Sequence, residues 1–336
     1  MINWNEGITA RYYASVVDQS TWQDISSFDI SGGSIKYSDS GVRESADLNC
    51  SNISPDNEFW MRIYFDIEQG SNHDRIPLFT GLASVPDTSW VGQFNTSNLQ
   101  CYSVLSVTEK VFLPLGWYAS AGANGARTIR DLLSDSTPAP IVIEGVSPNL
   151  SQSIIAEGSE SKLSMVDKIL KAIDWRIKIR GDGTIVICDL ADDISANFNY
   201  LNNDIIEMDV QVARDMHDIP NVFQAINNDM ISVARDEDPN SPFSIINRGR
   251  EIWMQETNCV LNDDEKIGEY ARRRLKEEQK LYRTISYNRR FLPDIRPTDM
   301  VAINYPQQNI NGIFEIQSQT LELSYGGRIS EQVYGI

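Results

Sequence analysis

The stretch Ser161-Lys-Leu-Ser-Met-Val-Asp-Lys-Ile-Leu-Lys-Ala-Ile-Asp-Trp-Arg-Ile-Lys-Ile-Arg-Gly-Asp-Gly-Thr-Ile-Val-Ile-Cys188 changes its hydrophobic period midway, and that change decides how the chain is read. Leu163, Val166, Ile169, Leu170 and Ile173 fall on one face of a helix, with Lys162, Asp167, Lys168 and Lys171 on the other. From Trp175 the period drops to two: Trp175, Ile177 and Ile179 alternate with Arg176, Lys178 and Arg180. Gly181-Asp182-Gly183 supplies residues that accept the positive φ of a tight turn, and Thr184 to Cys188 returns. The pattern predicts a helix over 162–174 feeding directly into a hairpin over 175–188. This compact unit sits in the middle of a chain that otherwise reads as strands.

Upstream, Ile8, Ala10, Tyr12, Ala14 and Val16 alternate with Thr9, Arg11, Tyr13 and Ser15. Gly32-Gly33 reads as a turn. Met61, Ile63, Phe65 and Ile67 mark one face of a strand that begins at Trp60. The polar run 69–74 forms a hairpin tip, Ile76 to Val85 returns with Gly81 as a bulge, and Asn98 to Ser103 adds a strand. Short strands separated by turns predict a small closed barrel or a sandwich.

After Val104 the character changes. Pro114, Gly116, Gly122 and Gly125 mark a connection, Ala126–Leu133 reads as a short helix, and Pro138, Pro140 and Pro148 punctuate the approach to the central unit. Asp192, Asp193 and the polar run 199–204 close that unit. Downstream, Ile206, Met208, Val210 and Val212 resume period two, strands follow near Val222 and Ile231, and 235–242 is a loop. Asn262 with Glu265 three positions later resembles a capping box. It opens a helix over 263–282 with Ile267, Tyr270, Ala271, Leu275 and Leu281 on one side. Arg283–Phe291, Met300–Tyr305 and Ile313–Leu323 read as the closing strands. In the last of them the apolar parity switches, from Phe314 and Ile316 to Leu321 and Leu323, which requires a bulge near Gln319. The chain is therefore read as mainly β with an α+β insert: a first β domain over 1–115, the insert over 116–204, and a second β-rich domain over 205–336. No repeat of solenoid period is visible, but two β-rich blocks around an insert hint at a duplicated plan.

A chain of 336 residues exceeds one ordinary core, and a 41% hydrophobic fraction without long polar tracts makes it globular. The start Met-Ile-Asn-Trp-Asn-Glu does not resemble a signal peptide, and no apolar run approaches the roughly 20 residues that span a bilayer. A soluble product made in a cytoplasm is expected. The net charge of −18, from 47 acidic and 29 basic residues, disfavours stable binding to duplex DNA. It fits plain solubility, or a surface that nucleic acid passes without adhering. Cys50, Cys101, Cys188 and Cys259 form no CxxC pair, so a zinc ribbon, redox motif or disulfide scaffold is not expected.

Candidate chemistry is sparse. His73 and His217 stand in polar loops outside any HExxH or HxH pattern. Arg180-Gly181-Asp182 spells an adhesion tripeptide, yet a Gly-Asp-Gly turn explains the same residues. Asp236-Glu-Asp238 and Asp263-Asp264-Glu265 lack the spacing and glycine of an EF-hand loop, and the second suits a helix N-terminus. Trp60 and Trp175 sit in strand patterns as core or interface anchors, whereas Trp22 and Trp90 are less committed. The basic run 272–280 is interleaved with Glu277 and Glu278, as on a solvated helix face or a subunit contact. No phosphate loop or GxSxG elbow is present. Catalytic, cofactor and metal residues are all expected to be none, although two carboxylates of a glycosidase could hide in so acidic a chain.

Three segments carry a resemblance to a known family: Val111-Phe-Leu-Pro-Leu-Gly-Trp-Tyr-Ala-Ser-Ala-Gly-Ala leading to Ile129-Arg-Asp-Leu-Leu133, the helix–hairpin at 161–188, and Arg296-Pro-Thr-Asp-Met-Val301 followed by Gly312-Ile-Phe-Glu-Ile316. In order and style they resemble the hub proteins at the tip of bacteriophage tails and related contractile devices. The resemblance implies two tube-type antiparallel β-barrels per subunit, discontinuous in sequence, with the helix–hairpin domain outside them. It implies a homotrimer whose six barrels join a six-fold tail tube or distal tail protein to a three-fold spike or fibre. The tape measure protein is a further implied partner, and DNA passes transiently without specific binding. The implied place is the virion tail tip, assembled in the host cytoplasm. The hub portion ends near Ile336 on this reading, which leaves any lytic step to another polypeptide. A carbohydrate-binding or glycan-hydrolysing tail module is the alternative.

Overall fold

The computed structural model describes residues 2, 7–51, 53, 57–91, 94–189, 194–199, 210–214, 216–227, 230–259, 261, 265–280, 283–306, 309–324 and 327–335. Strands β1 (Thr9–Val17), β2 (Asp24–Ser38), β3 (Glu44–Ser51), β4 (Phe59–Gln69), β5 (Asn72–Val91) and β6 (Phe94–Ser103) come first. They pair in the order β1-β4-β5-β6-β3-β2, and β2 pairs back onto β1, so six antiparallel strands close on themselves. Alternate residues point inward as the period-two pattern predicts. Met61, Ile63, Phe65 and Ile67 of β4 join Ile35, Leu48, Leu78 and Leu99 in one core.

An α+β region follows: α1 (Ser106–Glu109), β7 (Tyr118–Ala119), α2 (Gly125–Ser134), β8 (Ile141–Glu144), β9 (Ile154–Ile155), α3 (Lys162–Ile173), β10 (Trp175–Ile179) and β11 (Ile185–Asp189). Ser161 caps α3 by accepting from the Ser164 amide, and Asp174 ends it in the left-handed conformation at φ 56°. The buried stripe Leu163, Val166, Ile169, Leu170 and Ile173 packs on α2 and β10, and each side chain contributes about 1.5–3 kcal/mol. The hairpin β10–β11 gains a parallel partner, β8, which the sequence did not announce.

The remaining elements are β12 (Ile194–Asn199), β13 (Gln211–Arg214), β14 (Val222–Asn227), β15 (Met230–Arg235), α4 (Ile245–Arg248), β16 (Trp253–Thr257), α5 (Ile267–Lys280), β17 (Arg283–Arg290), β18 (Met300–Tyr305), β19 (Ile310–Glu322) and β20 (Arg328–Gly335). Strands β15-β14-β16 and α5 make a small distal unit around Phe223, Ala225, Tyr270 and Leu275. The others extend the first sheet to twelve strands, because the second half of β19 pairs with β2. Its first half pairs with β18, and β20 runs along both halves. The fold is mainly β with few helices, dominated by one large, mostly antiparallel sheet. Among the described residues no pairing joins β12 to β13, so the strands after the insert form an open array. Strand β12, at 194–199, pairs with β18 in this array.

The parity switch in β19 is real. The extra residue is Gln317, two positions before the expected Gln319. Ahead of it Phe314 and Ile316 enter a second core with Ile285, Val301 and Val333; after it Leu321 and Leu323 enter the first. Between the two cores lies a buried polar layer. Arg289 of β17 pairs with Glu331 of β20, and Gln319 Nε2 donates to Glu331 Oε1 at 2.5 Å and to the Ile295 carbonyl at 3.2 Å.

Other local readings are corrected. Gly32-Gly33 is no turn: β2 continues through it after a bulge at Ser31, and Gly33 lies so close to β3 that a Cβ would stand 2.2 Å from the Asp47 carbonyl oxygen. Strand β5 bulges at Leu78 against β4 and again at 85–86 against β6, while Gly81 is small because the Tyr102 carbonyl and Phe79 ring crowd it. The tip at 69–74 is tighter than read, since pairing continues to Gln69 and Asn72. Asn262, Asp263, Asp264, Leu281, Asp192, Asp193, Ile206 and Met208 lie outside the described residues, so the capping box and the start of the period-two run at 206 do too.

The segment 291–299, between β17 and β18, closes over the first core. The Arg296 guanidinium sits 4.3 Å from the Tyr37 ring centroid and donates to the Leu78 carbonyl, which Tyr37 Oη also reaches at 3.2 Å. Glu44, on β3, is 6% exposed beside them, at a cavity of about 510 Å³ where strands, hairpin and segment meet. Burial pushes its carboxyl up to about 8 against the pull of Arg296. Lys178 of β10 holds Asp299 at 2.8 Å on the far side of this junction.

Two predictions follow from this packing. Gly33→Ala, at φ 146° against backbone atoms that cannot yield, should cost roughly 2 kcal/mol or more, while Gly32→Ala, which meets nothing, should leave the urea midpoint nearly unchanged. Equal midpoints for the two variants would refute the close β2–β3 approach. The folded chain keeps a proton on Glu44 up to about pH 8, whereas an unfolded glutamate loses it near 4.5. Stability from this group therefore falls as pH rises through that window. Glu44→Gln should raise the thermal midpoint more at pH 8.5 than at pH 5.5, and a pH-independent difference would remove Glu44 as the cause.

Candidate functional site

The hairpin turn is the joint between the insert and the first strands. Thr80 Oγ1 donates to the Gly181 carbonyl at 2.8 Å. Trp22 Nε1 and Arg62 Nη2 donate to the Asp182 carbonyl at 2.9 and 3.1 Å. Trp22 reaches this position through a left-handed backbone, φ 57°, set by Asp18, whose side chain accepts from the Ser20 and Thr21 amides. Its ring lies against Trp60, centroid to centroid 5.4 Å. Arg62 is fixed in turn by Asp24 at 2.9 Å and Thr80 at 3.0 Å. A Cβ at Gly181 would overlap the Pro77 carbonyl, so glycine there serves close approach, while Gly183, at φ 84°, supplies the left-handed residue of the turn. The Arg-Gly-Asp letters thus belong to a docked turn, with Arg180 paired to Glu144.

The other residues singled out from the sequence are not brought together. His73 stands in β5, hydrogen-bonded to Asp66 at 2.7 Å, and His217 lies exposed beside Arg250 in the distal unit. The Asp236 carboxylate accepts from Ser241 and Gln279, and Asp238 caps its own turn. Glu265 is clasped by Arg273. Arg273 and Arg274 of α5 are spent on pairing: Arg274 meets Glu256, Glu277 and Glu278, and Glu277 and Glu256 keep its guanidinium charged despite burial. All four cysteines are buried and free, and burial pushes the Cys50 thiol up to about 12. Among the described residues no three His, Cys, Asp or Glu side chains converge as metal ligands.

Sequence reasoning missed the way the distal unit is attached. It meets the insert through polar contacts: Ser151 Oγ on the Leu261 carbonyl, Gln152 Nε2 on the Cys259 carbonyl at 3.0 Å, and Asn227 Nδ2 on Gln152 Oε1 at 3.0 Å. A charged cleft of about 610 Å³ separates α3, α5 and the large sheet. Arg176 of β10, read as solvent-facing, is 9% exposed because it reaches across to the Thr298 carbonyl at 2.7 Å. Only the loop partners at 151–157 and 257–261, far apart in sequence, could have revealed these joints.

Exposed apolar side chains occur on the large sheet, at Ile25, Trp90, Tyr102 and Ile313, and on both other units. Phe112, Leu115, Tyr118 and Ile155 are open on the insert, with Tyr118 and Ile155 directly opposed across β7 and β9. Ile231, Val233 and Trp253 are open on the distal sheet, where Arg235 lies 5.4 Å from the Trp253 ring. Such patches are contact surfaces in proteins that assemble.

No family model and no curated protein matches this sequence. Solved structures do match the fold. A tail protein from Neisseria meningitidis MC58 superposes with a TM-score of 0.70 at 13% identity, over 97% of this chain and 96% of that one. The 43 kDa tail protein of prophage MuSo2 from Shewanella oneidensis gives 0.68 at 11% identity, over 96% and 98%. The Escherichia coli c3393 protein, a component of the type VI secretion system, gives 0.54 at 8% identity, over 98% of this chain and 77% of that one. Nearly end to end, this chain has the fold of these phage tail proteins and of the type VI secretion component.

Proposed function

We propose that the chain is a structural, non-enzymatic hub at the tip of a phage tail, forming a trimeric ring that continues or caps the tail tube, carries the spike or fibre, and lets DNA pass. The observation that carries this reading is the β2–β19 pairing, which fuses the closed six-strand unit and the second strand array into one continuous sheet. Each subunit then offers two β units held side by side, and three subunits supply six positions to a six-fold tube. Tube-type barrels are assigned to 1–115 and to the discontinuous set β12, β13 and β17–β20, the second closing in the assembled ring. The insert, from 116 to the end of β11 at Asp189, and the distal unit decorate the outside, where their open apolar patches suit the tube or distal tail protein, the tape measure protein and the spike or fibre. Assembly in the host cytoplasm and residence in the virion tail follow from this role. The likeness in fold to tail proteins over nearly the whole chain supports it.

Mass measurement of the assembled tip, with imaging of the same particles, tests the reading. Three copies of the 37.9 kDa chain in a closed ring are expected. A single copy per tip, or glycan cleavage abolished by one Asp or Glu substitution, would replace it with another function.

A further inference from the structure

The segment 291–299 grips both the closed strands and the insert, and each grip has a polar contact at its centre. On the side of the strands, Arg296 Nη2 donates to the Leu78 carbonyl at 3.3 Å beside the Tyr37 ring. On the side of the insert, the Thr298 carbonyl accepts from Arg176 Nη1 at 2.7 Å, and Asp299 holds Lys178 at 2.8 Å. The two grips are linked inside the segment, because the Arg296 amide donates to Asp299 Oδ2 at 2.8 Å. A displaced Arg296 therefore disturbs the carboxylate that holds the insert hairpin.

Glu44 stands at the cavity that this clasp encloses. Its Oε2 is buried without a hydrogen-bond partner, and so is Arg296 Nη1. An ionised carboxylate enclosed at the same cavity as an unmet guanidinium N–H would pair with it, so the missing bond marks Glu44 as the neutral acid. The other charges around the cavity supply no substitute. Arg43 is held by Asp167, Lys178 by Asp299 and Arg180 by Glu144. Asp39, just past β2, and the exposed Asp294 add only like charge, and burial pushes the Asp39 carboxyl up as well. Burial pushes the Tyr37 hydroxyl up to about 12, so it stays neutral.

We infer that Glu44 is a proton lock on this clasp. While the acid is neutral, the segment 291–299 grips both units; once ionised, Glu44 draws the Arg296 guanidinium off Tyr37 and Leu78, and the grip on the insert hairpin loosens. The lock belongs to the single subunit and does not depend on the ring reading above. Linkage fixes its sign. The closed clasp keeps the proton up to about pH 8, whereas an open clasp returns Glu44 to the ordinary glutamate range near 4.5. Opening becomes about tenfold easier for each pH unit between those two values and levels off above the upper one.

Amide hydrogen exchange of the full chain, corrected for the intrinsic rate at each pH, reads the clasp, because the Arg296, Thr298 and Asp299 amides are all hydrogen-bonded. Their protection should fall at least tenfold from pH 5.5 to pH 7.5 and change little between pH 8.5 and pH 9.5. Glu44→Gln should abolish the fall, with Glu44→Leu as a second neutral variant if the first does not fold, while Asp39→Asn should keep it. Flat protection in the native chain overturns the lock, and so does a fall that survives in a neutral variant or disappears with Asp39→Asn. Segment amides that match those of β4 and β5 in both protection and pH course would mean that only global unfolding opens the clasp, which overturns it too.

Discussion

One strand has to serve two cores, and the rest of the architecture depends on how it does so. Strand β19 begins with Phe314 and Ile316 in the core of the later strands and ends with Leu321 and Leu323 in the core of the closed unit. A regular strand cannot do this, because its side chains keep one parity on each face. The extra residue at Gln317 resets the parity and lets the second half of β19 meet β2. Without that residue one half of the strand would turn its aliphatic side chains to water. The two β units would then be separate bodies.

The layer at the changeover fixes the register. Arg289, Glu331 and Gln319 lie on three neighbouring strands and are fully enclosed. A buried ion pair adds little net stability over apolar side chains of similar size, because removing two charges from water offsets their attraction. Losing one partner is another matter, at roughly 3–5 kcal/mol for the charge left behind. A one-residue slip of β20 would strand Arg289 in that way, so the paired register is held where the two cores meet. The Trp22–Asp182 joint and the Arg296–Tyr37 stack then fasten the insert and the 291–299 segment to the same strands.

Much of the local structure was legible in the residues. The change of period at Trp175 located α3 and its hairpin, and the parity change between Ile316 and Leu321 revealed a bulge within two residues of its place. Glycines were read less well. Gly33 and Gly81 looked like a turn and a bulge, yet both are small because a neighbouring strand approaches them, a cause that is not local. Arg176 looked solvent-facing by alternation and is buried by the 291–299 segment, where it meets the carbonyl of Thr298, 122 positions away. His73, His217 and Asp236 stand apart in the sequence, and each finds separate partners in the fold.

Hydrophobic period, capping residues and turn glycines act over a few residues, so the sequence alone determined where helices and strands lie, which face of each is apolar, and that the chain is mainly β with an α+β insert. Only the tertiary structure decided that the first six strands close on themselves, that β19 joins them to the later strands, and that the distal unit docks on the insert through polar contacts. Strand pairing joins residues hundreds of positions apart through backbone groups that every residue carries, so side-chain identity does not specify the partner. The choice is made by which pairing buries both cores at once and leaves no charge enclosed alone.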